Sequence, residues 1–188
     1  MEKKLEGKKV AILVADGFEQ VELTEPKKAL EEAGATTQIV SPAEGEVQGW
    51  NHDEKADKFS VDMPLDRARS DDYDALLLPG GVRNPDQLRM MTRAIEFVDG
   101  FFATGKPVAA ICHAPWTLID AEVLKGKTIT SWPSLKTDLT NAGATWVDRQ
   151  VVVDNGLVTS RKPDDIPAFN EKMIEEFSQR TSQRSAAA

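Results

Sequence analysis

The chain has 188 residues, 40% of them hydrophobic and 29% charged, and 31 acids against 23 bases give a formal net charge of −8. This is enough apolar material for one well-packed domain and too much for a disordered chain. The negative balance argues against general nucleic-acid or acidic-membrane binding, and no apolar run approaches the roughly 18 residues of a membrane span.

In chain order, Val10-Ala-Ile-Leu-Val14 is a continuous β-prone run, the mark of a strand buried on both faces. It breaks at Asp16-Gly17. Thr24 offers an N-cap with Pro26 in the first turn behind it. Ala29, Leu30 and Ala33 then keep helical spacing, and Gly34 supplies a stop. Thr37–Val40 reads as a second strand. From Ser41 to Arg69, Gly45, Gly49 and Pro64 interrupt the pattern, which predicts loops with room for a short hairpin.

Ala75-Leu-Leu-Leu-Pro79 is the next buried strand and runs into Gly80-Gly81. A helix follows over Thr92–Thr104, with Ile95, Val98 and Phe102 on one face and Gly105 closing it. Pro107–Ile111 is another buried strand, then come Cys112-His113 and a helix over Pro115–Leu124. Thr128–Ser131 reads as a short strand, and Leu135–Asn141 as a helix stopped near Gly143. Val151–Asp154 and Leu157–Ser160 flank Asn155-Gly156, a strong hairpin signal. Asp164–Gln179 is a terminal helix carrying Ile166, Phe169, Met173, Ile174 and Phe177. Residues 182–188 read as a disordered tail on a single domain, residues 1–188.

Strands that alternate with helices and are apolar on both faces predict an α/β fold: a doubly wound, mainly parallel sheet sandwiched by helices. Such a sheet binds its ligand beyond the carboxyl ends of its strands. Three segments should therefore meet at one edge: Asp16–Glu22, Pro79-Gly80-Gly81 and Cys112-His113.

The chemistry is bounded by residue counts. One cysteine cannot form an internal disulfide. With only His52 and His113 beside it, it cannot build a Cys/His zinc site either. No dinucleotide or P-loop glycine motif is present, so neither a metal nor a cofactor is expected. The pair Lys3-Lys4 precedes too short an apolar stretch for a signal peptide, and the expected location is a reducing cytoplasm.

A cysteine after four apolar residues is ordinarily a small buried hydrophobe. Cys112 differs in ending its strand, in preceding a helix whose N-terminus favours a thiolate, and in standing beside His113. A strand, tight turn and helix with the nucleophile at the apex is the geometry of a nucleophile elbow. Gly80-Gly81 reads either as a plain tight turn or as an open backbone amide. In the second case it could face a developing oxyanion together with the N–H of His113.

On these residues the sequence resembles the ThiJ/PfpI family, in its intracellular protease I branch, of the class I glutamine amidotransferase-like superfamily. The matching stretches are Lys9–Glu22 with its Phe-Glu-Gln-Val-Glu, Asp74–Gly81, Gly105–Pro115 with Ala-Ile-Cys-His-Ala-Pro, Asn141–Asp148 and Val158–Arg161. The resemblance implies a flavodoxin-like sandwich, with Cys112 as nucleophile, His113 beside it and the family's buried acid at Glu22. Its oxyanion donors would be the N–H groups of Gly81 and His113. An acid lent by a neighbouring subunit would be Asp86, which implies a homo-oligomer of two or more chains.

The activity implied is that of a cysteine-dependent hydrolase of the protease I type, acting on peptides and serving stress protection. Two alternatives stay open: a deglycase or glyoxalase acting on methylglyoxal-type adducts, and a redox-sensing holdase chaperone. An ionised acid beside a thiol raises the thiol's pKa, whereas a protonated acid donates a hydrogen bond to the thiolate. A useful Glu22 therefore needs a raised pKa. Cys112 itself is expected below the ~8.5 of a free thiol.

Overall fold

The computed structural model describes residues 3–179, so the expected tail at 182–188 lies outside the described residues. The early strands are β1 (Lys9–Leu13), β2 (Phe18–Glu19), β3 (Thr36–Ser41), β4 (Glu46–Asn51), β5 (Glu54–Ser60) and β6 (Met63–Pro64). After them come β7 (Ala75–Leu78), β8 (Val108–Ile111), β9 (Thr128–Ile129), β10 (Thr145–Trp146), β11 (Val151–Asp154) and β12 (Leu157–Ser160). The helices are α1 (Gln20–Glu32), α2 (Arg83–Leu88), α3 (Thr92–Ala103), α4 (Pro115–Asp120), α5 (Lys136–Asn141) and α6 (Ile166–Gln179). Among the described residues, no helix is long and apolar enough to cross a membrane.

The central sheet has seven strands in the order β11-β12-β8-β7-β1-β3-β6, every pair parallel except β11 with β12. Each inner strand feeds two cores by simple alternation. Val10 and Ile12 pack with Leu23 and Leu30 of α1 and Phe169, Met173 and Phe177 of α6. Ala11 and Leu13, one residue out of phase, pack with Phe97, Val98 and Phe101 of α3, Leu118 of α4 and Leu139 of α5. The fully buried Phe and Leu side chains each contribute about 1.5–3 kcal/mol.

The mainly parallel, doubly wound sheet matches the sequence expectation, and its differences from that expectation are local. Helix α1 begins at Gln20, not after Thr24, so Pro26 lies inside it. Its start is fixed by long-range pairing: β2 pairs with β4, which brings the chain into the helix four residues early. The stretch 41–69 holds a full hairpin, β4–β5, with a bulge between Gln48 and Trp50. Helix α4 stops at Asp120 and is followed by Glu122 at φ 55°. Helix α2 and strand β10 carried no periodic signal. In contrast, Asn155 (φ 46°) and Gly156 (φ 85°) make the left-handed pair that the β11–β12 turn was expected to need.

After β1 the chain crosses to the α1 face, and after β7 to the α2 face. This reversal opens a crevice between their carboxyl ends. Asn84, fully buried on α2, bridges it. Its Oδ1 accepts from Ala15 N at 2.7 Å, and its Nδ2 donates to the carbonyls of Pro79 (2.9 Å) and Gly80 (3.0 Å). Replacing Asn84 by Ala strands the Ala15 N–H and the Pro79 carbonyl and leaves the Gly80 carbonyl only the Glu19 N–H, and should cost about 2–4 kcal/mol in urea unfolding. A loss under about 0.5 kcal/mol would show that water or local shifts replace the bridge.

Candidate active site

Cys112 stands directly beyond β8 at φ 64°, a left-handed conformation that is strained for any residue with a side chain. Both of its backbone groups are held from outside: its N–H donates to Ser160 O at 3.0 Å, and its carbonyl accepts from Trp132 N at 2.9 Å. The ends of β12 and of the β9 segment thereby fix the elbow, and Pro115 opens α4 behind it.

Sγ of Cys112 lies 3.1 Å from Nδ1 of His113. The imidazole stacks on Trp132 (centroids 5.7 Å apart, planes at 22°) and meets Trp116 edge-on. Burial drives its pKa down to about 4, so the ring is neutral at pH 7 and Nδ1 can accept the thiol proton. Among the described residues no carboxylate is hydrogen-bonded to His113.

Glu22, in the first turn of α1, is fully buried. Its Oε2 accepts the N–H of Gly80 at 2.9 Å, while Oε1 has no hydrogen-bond partner among the described residues. Burial is the main cause that pushes its pKa up to about 8; the Gly80 N–H opposes the shift and the charge of Glu19 adds to it. At neutral pH the carboxyl therefore keeps its proton beside Cys112.

For Cys112 the expectation reverses. Burial pushes the thiol up, and Glu22 pushes it further where it is ionised. The N–H groups of Gly81 and His113, both close to the sulfur, pull the other way without prevailing. The resting site holds a thiol beside a neutral acid and a neutral base. Gly80 has no room for a side chain: a Cβ there would lie 2.6 Å from Glu22 Oε2 and 2.7 Å from Cys112 Cβ.

The structure thus brings Glu22, Gly81, Cys112 and His113 together at one cavity of about 540 Å³. Asp86 is not among them. It is exposed on α2 and lines an adjoining polar cavity with Lys55, Lys58 and Gln87, which shares Gly17, Trp50 and Arg83 with the first. Trp50, His52, Arg83 and Trp132 also line the Cys112 cavity, where no sequence motif places them. Trp132 had a usable signal, because it follows a predicted strand at the same edge. Trp50 and His52 had none, since their position depends on the bulged hairpin. Among the described residues, no cluster of three or more His, Cys, Asp or Glu could hold a metal ion.

The model of the DJ-1/PfpI family matches residues 8–176. The chain is 46% identical over 167 residues to a Bacillus subtilis protein named "Putative cysteine protease YraA", covering 89% of this chain and 96% of that one. It is 45% identical over 170 residues to General stress protein 18 of the same species, covering 89% and 96%. Among solved structures, DJ-1beta of Drosophila melanogaster superposes with a TM-score of 0.82 at 29% identity, covering 96% of both chains.

The shift at Glu22 makes a stability prediction. The folded carboxyl binds a proton up to about pH 8, but the unfolded one only up to about 4.5, so native stability falls as pH rises between these values. Glu22→Gln removes the titration while keeping an acceptor for Gly80. It should be more stable than the parent by roughly 3 kcal/mol at pH 7, the gap closing below about pH 4.5. Thermal melts of both proteins from pH 4 to 9 check this; a pH-independent difference would mean that Glu22 is not buried as an acid.

Proposed function

Because the chain belongs to the DJ-1/PfpI family, we propose that it is a cysteine-dependent hydrolase in which Cys112 attacks a carbonyl carbon. One observation carries the reading: a backbone-strained Cys112 with Sγ 3.1 Å from Nδ1 of a neutral His113, at the wall of a cavity. As sulfur attacks a peptide carbonyl, its proton passes to His113 Nδ1 and an S–C bond forms. The carbonyl electrons move onto oxygen, where the N–H groups of Gly81 and His113 face the developing charge. The adduct then collapses with cleavage of the C–N bond, and His113 returns the proton to the leaving amine. Water hydrolyses the thioester and regenerates the thiol. Glu22, neutral below about pH 8, adds no negative charge against this sequence.

The same neutral acid supports a second reading. The thiol of Cys112 can add to the aldehyde of a methylglyoxal-type adduct and give a hemithioacetal, a step with no leaving group. A relative named General stress protein 18 fits a stress role for either chemistry. The work takes place in a reducing cytoplasm, where a lone thiol persists.

Asp86 enters from a second copy of the chain, orienting His113 through Nε2. Its exposure on α2 supports this, as do the neighbouring apolar residues Val82 (53% exposed) and Met90 (83% exposed).

Purified chain should turn over a member of a peptide, glycated-amine and methylglyoxal panel, and Cys112→Ala should lower the rate by at least about 10³-fold. Turnover that survives in Cys112→Ala overturns the hydrolase reading; so does suppression of aggregation without any turnover, the mark of a holdase. Mixing inactive Cys112→Ala chains with Asp86→Ala chains should restore part of the activity. If the mixture stays inactive, or a monomer by sedimentation is fully active, Asp86 does not act across subunits.

A further inference from the structure

Among the described residues, Arg83 is the one permanent cation lining the Cys112 cavity. It follows Gly80-Gly81 by two residues and is exposed at the cavity mouth. Its guanidinium lies 4.4 Å from the centroid of the Trp50 ring. The aliphatic stem rests on the backbone of Gly17, where a Cβ would lie 2.5 Å from Arg83 Cβ and where φ is +88°. Gly17 therefore leaves the space in which the stem lies. At the other end, the bulge between Gln48 and Trp50 re-aims the indole towards the cavity. Stem and head are both fixed before any ligand arrives, which lowers the cost of ordering a long side chain.

What Arg83 lacks is an ion pair, although Asp16 and Asp86 line the adjoining cavity beside it. Among the described residues no carboxylate forms an ion pair with Arg83. The acids nearest in the cavity are otherwise engaged or placed. Glu22 is protonated, and Glu19 accepts the N–H of His52 at 3.1 Å with His52 Nδ1 3.8 Å away. Asp53 sits exposed on the hairpin turn. A planar, stacked, unpaired guanidinium matches a carboxylate in two parallel hydrogen bonds.

We propose that Arg83 is a specificity residue that recognises a carboxylate carried by the substrate, beside the carbonyl group that Cys112 attacks. The inference rests on Cys112 being the nucleophile and goes beyond it in naming the substrate class. Two sources share the chemistry: the C-terminal carboxylate of a short peptide and the carboxylate of a small oxo acid.

Two alkylating reagents that differ only in charge test the proposal without a known substrate. Iodoacetate and iodoacetamide each form one S–C bond at Cys112 and release iodide. Arg83→Gln should slow iodoacetate by up to about fivefold relative to iodoacetamide, as for one partly exposed charge pair. Arg83→Lys should recover part of that loss, and Lys28→Gln, remote on α1, should leave the ratio unchanged. If both reagents slow equally in Arg83→Gln, Arg83 is only structural; if neither changes, it recognises nothing. Failure of both reagents on the parent chain removes the nucleophile reading, and this inference with it. Turnover of a peptide with a free against an amidated C-terminus, and of glyoxylate against glyoxal, then separates the two sources. The pair whose discrimination Arg83→Gln abolishes identifies the substrate, and no discrimination in either pair overturns the proposal.

Discussion

A carboxyl group buried without a cation governs this molecule. Glu22 reaches from the first turn of α1 to the backbone N–H of Gly80, 58 residues further along the chain. With no charge to balance it, the group can be accommodated only by holding a proton. That proton then stands beside the one thiol in the chain. The same contact explains why Gly80 has no side chain, because any Cβ would displace the carboxyl or the cysteine.

Around this acid the backbone is determined from several directions. Cys112 keeps a left-handed φ because β12 and the Trp132 segment hold its N–H and its carbonyl at once. His113 is stacked on Trp132 and met edge-on by Trp116, which excludes water from the ring and keeps it neutral. Asn84 joins the loops after β1 and β7, the two strands between which the topology reverses. Such a site lowers stability locally, through a strained cysteine and a desolvated acid. The two apolar cores on either side of the sheet offset that cost.

The mouth of the cavity has a different origin from its floor. Of the floor groups, Cys112 and Gly81 follow strand ends of the central sheet, and Glu22 comes from the first turn of α1. The mouth comes from the β4–β5 hairpin and from the start of α2, which bring Trp50, His52 and Arg83 to the same opening. The family match over residues 8–176 spans both floor and mouth.

The sequence by itself determined the layers, because strands with apolar residues at every position can only be buried on both faces. Val10–Leu13, Ala75–Leu78 and Val108–Ile111 are such strands, and their carboxyl ends located Cys112, His113, Gly81 and the Glu22 segment at one edge. The Asn155-Gly156 turn was legible for an equally local reason, its need for positive φ at both positions. Only the tertiary structure decided where α1 starts, because β2 pairing with β4 outweighs the local capping preference of Thr24. It also decided the direction of the thiol's pKa. Strand–helix order alone favours a thiolate, but the depth of burial, which no local pattern encodes, favours the neutral thiol. Arg83 and Trp50 meet for the same kind of reason: residues 33 positions apart share a cavity only once the hairpin has folded over the sheet edge.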